Sequence, residues 1–378
     1  MVLPHPLDAS DTVAEVRRHM AVCNACRYCE GYCAVFPAMS LRRDFATADL
    51  THLANLCHNC KGCYHACQYA PPHAFGINLP QTFATLRQES YAEYAWPPGA
   101  GRLFARNGTL LSLLAAAFVA LALVLTAALK DPAVLYTPQT GPGAFYRIIP
   151  LWLLNLLAGS TFLYALLALA LGAVRYWRGT GRAGGAPLAA RPVADATVDI
   201  LALTNLGGGG HGCNDRDEGF STSRRWFHHA MFYGFMLCFA STSTGALYHH
   251  VFHWVSPHSF WSLPVQLGTW GGVLLCVGTA GFIWVKTVAD PMPVARQLMG
   301  GEYALLALLF LVSATGLLLL VVRHTGAMGL TMAIHLGLVL ALFVALPYSK
   351  MVHGLYRSLA LLRNALERRA AGRVAATA

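Results

Sequence analysis

Charge is what this chain of 378 residues has least of. Asp, Glu, Lys and Arg make up 12%, where a soluble protein carries about 25%. The shortfall is uneven: residues 1–106 have ordinary polarity, and the apolar excess lies beyond Gly108. A small water-facing domain followed by a membrane domain is the organisation this implies. No nucleophile, acid–base pair or open metal site for substrate chemistry stands out, so the residues offer no substrate-converting centre. The polar stretch Met1–Arg18 has no secretory hydrophobic region, which places the cysteines in a reducing cytosol and argues against disulfides. A dinucleotide fold is missing too. Gly207, Gly209 and Gly212 match G-x-G-x-x-G in form, but a membrane span follows closely and no acidic residue stands about 20 positions on. The Gly207–Cys213 segment reads instead as a flexible loop packing on the head or on a partner, preceded by a linker containing Gly179, Gly181, Gly184, Gly185, Pro187 and Pro192.

Cysteine is present in quantity and in pattern. Cys23, Cys26, Cys29 and Cys33 form Cys-x2-Cys-x2-Cys-x3-Cys, and Cys57, Cys60, Cys63 and Cys67 repeat it at a uniform offset of 34. This is the spacing of two [4Fe–4S] clusters in a ferredoxin-like domain, where the fourth cysteine of each run ligates the other cluster. The crossover assigns Cys23, Cys26, Cys29 and Cys67 to one cluster and Cys57, Cys60, Cys63 and Cys33 to the second. Structural zinc fits poorly, since one small ion needs paired ligands across a longer loop rather than two runs of three. One departure is shared by both halves: Ala34 and Gln68 stand where ferredoxins have Pro, and Pro37 and Pro71 come later. His52, His58 and His65 flank the second run as surface or hydrogen-bonding residues. Cys238 and Cys276, both mid-span, read as small hydrophobes.

Six stretches are long and apolar enough to span a bilayer, near Thr109–Leu129, Ile149–Val174, Phe227–Tyr248, Val265–Val288, Tyr303–Val322 and Leu330–Tyr348. With the N-terminus in the cytoplasm, 24 of the 27 Lys and Arg residues fall inside, leaving only Lys130, Arg147 and Arg323 outside. A bacterial inner membrane with both termini cytoplasmic is the expected setting. The net charge of +10 is then a topology signal and calls for no nucleic acid. The expected organisation is an α-helical chain: a head (1–106), two spans (107–175), a Gly-rich loop (176–225), four spans (226–353) and a basic cytoplasmic tail (354–378).

Histidines mark the membrane part. His228 and His229 open the third span, His249 and His250 close it, His335 lies inside the sixth span, and His353 follows it. Intramembrane ionisable residues are costly and usually functional. On an α-helix the 18 residues from His335 to His353 make five whole turns and bring both rings to one side. His228 and His249 lie about 60° apart on theirs. Two stacked b-type haems need this arrangement, with His229 (or His228) facing His353 and His249 (or His250) facing His335. The plainer alternative is interfacial histidines at the headgroups, which suits His253, His258 and His324.

The stretch Leu206–Asn214, the run Arg224-Arg225-Trp226-Phe227-His228-His229, the segment Leu346-Pro347-Tyr348-Ser349-Lys350-Met351-Val352-His353 and the twin cysteine runs carry a resemblance. The chain resembles the tricarballylate-utilisation protein B family of CitB-domain membrane proteins, and also the C-terminal half of CobZ-type cobalamin-synthesis proteins. The resemblance implies an electron carrier for a separate FAD-dependent dehydrogenase that oxidises tricarballylate, with quinone as acceptor. A membrane redox sensor and a CobZ-like role in cobalamin synthesis are the alternatives.

Overall fold

The computed structural model describes residues 5–33, 35–104, 108–181 and 189–377, with side chains to 372. Ala34, the head boundary at 106–107 and the linker residues Gly184, Gly185 and Pro187 lie outside it. Among the described residues the chain is helical, and its one extended feature is an isolated bridge between Cys213 and Ser221.

The head contains α1 (Asp11–Cys26), α2 (Val35–Met39), α3 (Thr47–Leu56), α4 (Gly62–His65), α5 (Leu79–Tyr94) and α6 (Ala100–Phe104). Ser10 caps α1, its side-chain oxygen accepting from Thr12 N at 3.2 Å and so satisfying a free helix-end donor. Val13, Val16 and Met20 of α1 meet Leu50 and Leu53 of α3 and Phe83 and Leu86 of α5 in one buried core.

The membrane part is α7 (Thr109–Leu129), the short α8 (Ala144–Ile148), α9 (Leu151–Gly179), α10 (Ala190–Leu201), α11 (Ser223–His250), α12 (Leu263–Thr287), α13 (Met299–Val322) and α14 (Met328–Ala345), and the chain ends in α15 (His353–Thr377). Six of these helices are long and apolar enough to cross a membrane. α11 and α12 form a hairpin whose backbones nearly touch: a Cβ on Gly278 would stand 2.5 Å from Met231 N. Small residues at such crossings replace the hydrophobic drive that lipid removes. Phe162 of α9 lies 5.8 Å from Phe239 of α11 and 5.4 Å from Phe343 of α14, which places α9 beside both.

Two expectations change. The sixth span does not run on to His353. It ends at Ala345, turns through Leu346–Ser349, and resumes at His353 as a separate helix. Pro347 is the physical reason, since proline lacks the N–H and its ring clashes with the carbonyl one turn back. Of the basic tail, residues 354–377 form α15 with His353, and Ala360 and Leu361 of this helix complete the head core. Arg363 of α15 bonds Glu367 at 2.7 Å, and Glu367 bonds Arg42 at 2.8 Å, so α15 is pinned to the head. Last, Gly179 closes α9 and Pro192 sits in the first turn of α10, where proline is tolerated; neither is linker.

Head and bundle are joined by four tyrosines. Tyr356 of α15 stacks on Tyr91 at 5.4 Å and on Tyr176 at 5.0 Å, and Tyr94 meets Tyr176 edge-on at 5.5 Å. Asn78 Nδ2 also donates to Met292 O at 2.9 Å, tying α5 to the α12–α13 connection. The head, α15 and that connection therefore share one face of the bundle.

Candidate metal centres

The two cysteine runs are wound alike. Arg27, just after Cys26, takes left-handed backbone (φ 54°), and Lys61, 34 residues on and just after Cys60, does the same (φ 64°). L-residues adopt this conformation at a cost of about 1–2 kcal/mol. The repeat is thus one of backbone as well as of sequence, turning the chain sharply between the second and third thiols.

The thiols gather in two neighbourhoods. Cys23 lies within electrostatic reach of Cys29, Cys67 and Cys26, while Cys33 faces Cys57 and Cys60. Cys63 faces Cys33 first, then Cys60 and Cys57. Burial, then repulsion from neighbouring thiols, pushes Cys23 and Cys29 up to about 12 and strongly raises Cys33 and Cys63. Thiols this crowded and dry ionise readily only when a metal supplies the counter-charge. Two runs of three evenly spaced thiols suit a cubane better than one tetrahedral ion. N–H groups aim at the sulfurs as well: Asn59 N at 3.4 Å from Cys57 Sγ, and Gln68 Nε2 at 3.4 Å from Cys26 Sγ.

The surroundings of the two sets differ. Within the first, between Cys26 and Cys29, stands Tyr28, 72% exposed. The second is roofed by polar contacts from distant segments. Arg87 Nη1 donates to Cys57 O at 3.0 Å, Arg357 Nη2 donates to the same carbonyl at 2.6 Å, and Arg224 donates to Asn59 O. Asn214 N donates to Cys60 O at 2.9 Å. Burial and the adjacent Arg87 lower Arg357 from the ordinary arginine range.

The glycine segment packs on the first run, against Gly31 and Tyr32 between Cys29 and Cys33. A Cβ on Gly209 would lie 2.4 Å from Gly31 O, so only glycine allows this approach, and Phe220 stacks on Tyr32 at 6.2 Å. Of the two readings open for this loop, packing on the head is the one observed. Cys213 is fully buried here, its Sγ donating to Leu206 O at 3.3 Å. Burial pushes its thiol up to about 12, which suits a structural cysteine. Of the two roles expected for His52 and His58 the surface one does not apply: both are buried, and desolvation lowers both well below the ordinary imidazole range.

Of the six histidines singled out, the structure brings two together. His228 of α11 and His353 of α15 face each other with ring centroids 6.1 Å apart and planes at 89°. Two imidazoles on one iron, each with an Fe–N bond of about 2 Å, place their ring centres about this far apart. His353 Nδ1 points to Lys350 O at 2.5 Å, which leaves Nε2 free. That is the orientation outer partners impose on metal-bound imidazoles. His229 is turned away: its ring nitrogens sit 3.0 Å from Arg225 O and 3.1 Å from Ala202 O, and the ring stacks on Tyr233. His335 lies against α13, with Nδ1 3.1 Å from Thr315 Oγ1. His249 pairs with Tyr146 and with its neighbour His250, at centroid distances of 5.3 and 5.0 Å. Its ring does not pair with that of His335 among the described residues.

Several residues here escaped the sequence reading. Arg224 stands one turn before His228 and Arg357 one turn after His353, so each histidine helix also reaches the Cys57–Cys60 loop. The four-residue spacing was a visible signal. Glu302 was another, the acid at the head-side end of α13; it pairs with Lys286 of α12 and, at 2.8 Å, with Lys350. Buried charges persist only when so paired.

A double thiol head on six membrane-crossing helices is the build of a membrane iron–sulfur electron-transfer protein. The chain belongs to the citrate utilization protein B family. That family matches residues 103–374, and its Fer4-like domain matches residues 16–93. Citrate utilization protein B of Escherichia coli is 46% identical over 357 residues, covering 94% of this chain and 93% of the relative. No solved structure matches the chain.

Proposed function

We propose that this protein reoxidises a separate FAD-dependent dehydrogenase and passes the electrons to quinone. The relative's name points to citrate utilisation. The dehydrogenase substrate we favour is tricarballylate, a tricarboxylate that loses two hydrogens to give cis-aconitate. In this reading Cys23, Cys26, Cys29 and Cys67 hold one [4Fe–4S] cluster, Cys57, Cys60, Cys63 and Cys33 hold the other, and His228 and His353 hold a haem b. Bound there, these groups supply one-electron steps without substrate chemistry.

The chain's own residues give the path a direction. The first thiol set, beside exposed Tyr28, is the entry for the flavoprotein's electrons. Arg224 and Arg357 join the second set to the paired histidines, and Lys350 O holds His353 in the tautomer that leaves Nε2 free. One haem is the number these rings support. The charge count supports a cytoplasmic head in a bacterial inner membrane.

The observation that carries the reading is the His228–His353 pair one helical turn below the arginines of the second cysteine run. Absorption and EPR spectra of the purified, reduced protein test the cofactors: two [4Fe–4S] signals and a low-spin bis-histidine haem are expected. Anaerobic mixing with the reduced flavoprotein and then quinone tests the path. Centres that take up electrons but do not return them at turnover rates would mark a redox sensor instead.

A further inference from the structure

Where the head meets the bundle there is a cleft of about 60 Å³, room for a small ring or a few waters. Its walls differ in character. The membrane helices contribute Phe282, Val285 and Met299; the cysteine run and the loop before α11 contribute Asn59 and Asp215, with Arg224 of α11 beside them. Two acceptors on the polar wall have no hydrogen-bond partner. They are Asn59 Oδ1 and Asp215 Oδ2, the latter on a side chain only 6% exposed. Buried acceptors are rarely left unpaired, so both point to a ligand that donates.

Position narrows the ligand. Asn59 lies within the second thiol run, its N–H 3.4 Å from Cys57 Sγ. Phe282 lies 5.9 Å from the His228 ring, centroid to centroid. One wall thus belongs to a thiol set and the other touches the paired histidines. The cleft opens at the head-side ends of α12 and α13, at the level where the spans begin.

We propose that this cleft is the quinone-reduction site, holding the ring of a membrane quinone while its isoprenoid tail runs out along α12 and α13 into lipid. The proposal rests on the electron-transfer reading above. A quinone ring has apolar faces, which Phe282 and Met299 can cover, and two carbonyl oxygens, for which the Arg224 guanidinium is a donor. Reduction adds two electrons, delivered singly from the iron centres, and two protons, taken from water on the head side. Both carbonyls become hydroxyls. The quinol then has two O–H donors, matching the two unpartnered acceptors. Lys61, Lys286 and Glu302 complete the polar lining.

The test uses intact holoprotein in lipid nanodiscs. A photoactivatable azidoquinone should label residues 282–302, and decylubiquinone should compete with it. Met299→Trp fills the cleft and should raise the KM for decylubiquinone roughly tenfold, with cluster and haem spectra and reoxidation by ferricyanide unchanged. Asp215→Asn keeps the shape and should raise KM about threefold and lower the labelling yield. Label landing elsewhere, with both variants at wild-type KM, would overturn the site and leave the electron-transfer reading standing. Wild-type protein that ferricyanide reoxidises and quinone does not would overturn both.

Discussion

The two cysteine runs began as copies, and the structure has made them opposites. Spacing, offset and left-handed turn repeat across 34 residues. The first run carries the exposed Tyr28 and packs on the glycine loop at Gly31, whereas the second lies under Arg87, Arg224 and Arg357. Charge, hydrogen bonds and exposure around a cluster set its potential, so identical ligands can serve unequal centres. Buried cations favour the more negative, reduced state. The second set should therefore be the stronger electron acceptor, so that electrons entering at the first run, as proposed above, would move inward downhill.

The largest expected effect comes from breaking the exchange of fourth ligands. Cys33→Ser should abolish the cluster of Cys57, Cys60 and Cys63 and spare that of Cys23, Cys26 and Cys29. Iron analysis with EPR decides, and loss of the first cluster alone would reverse the assignment. Next comes the proposed haem, which would sit on the second run's side of the molecule. His228→Ala and His353→Ala should each remove it, while His229→Ala should retain it, read from the absorbance of the reduced protein. Equal retention in all three would break the link between the second run and the membrane.

The electrostatic contrast can be measured directly. Arg357→Gln removes one buried charge beside Cys57 O. At an effective dielectric near 20 such a charge is worth about 2 kcal/mol, or roughly 100 mV for one electron. Redox titration should show the second cluster's potential falling by that order and the first cluster's barely moving. Equal shifts in both would mean that the two surroundings are not distinct.

Gly209→Ala should also act unequally. Its Cβ would press on Gly31 O, a backbone atom that cannot move away, so thermal stability should fall by about 1–3 kcal/mol. A deletion of Gly207–Gly210 should disturb cluster spectra as well, because the loop packs on the first run. Unchanged melting and unchanged spectra would show that its packing on the head carries neither stability nor the clusters. The smallest effect concerns pH. Buried thiols such as Cys23 and Cys29, raised to about 12, keep their protons when folded, whereas unfolded thiols lose theirs near 8.5. Stability of the iron-free protein should be flat below about pH 8.5 and decline from there towards 12. Denaturation midpoints that rise over this interval would contradict the packing.

Short-range pattern was enough for much of this protein. The eight cysteines, their offset and the six apolar stretches are visible in the chain, because ligand spacing and membrane length are properties of consecutive residues. Pro347 could have warned that His335 and His353 do not share one helix, and a reading by periodicity passed over it. The choice of His228 over its neighbour was not legible at all. Ala202 O, 27 positions from His229, draws that ring away and leaves His228 facing His353. Likewise Arg357 finds Cys57 O across 300 residues, and Arg224 finds Asn59 O across 165. No local propensity encodes such meetings. Buried guanidinium and carbonyl groups must find partners, and only the packing of α15 and α11 against the head decides which partners are in reach.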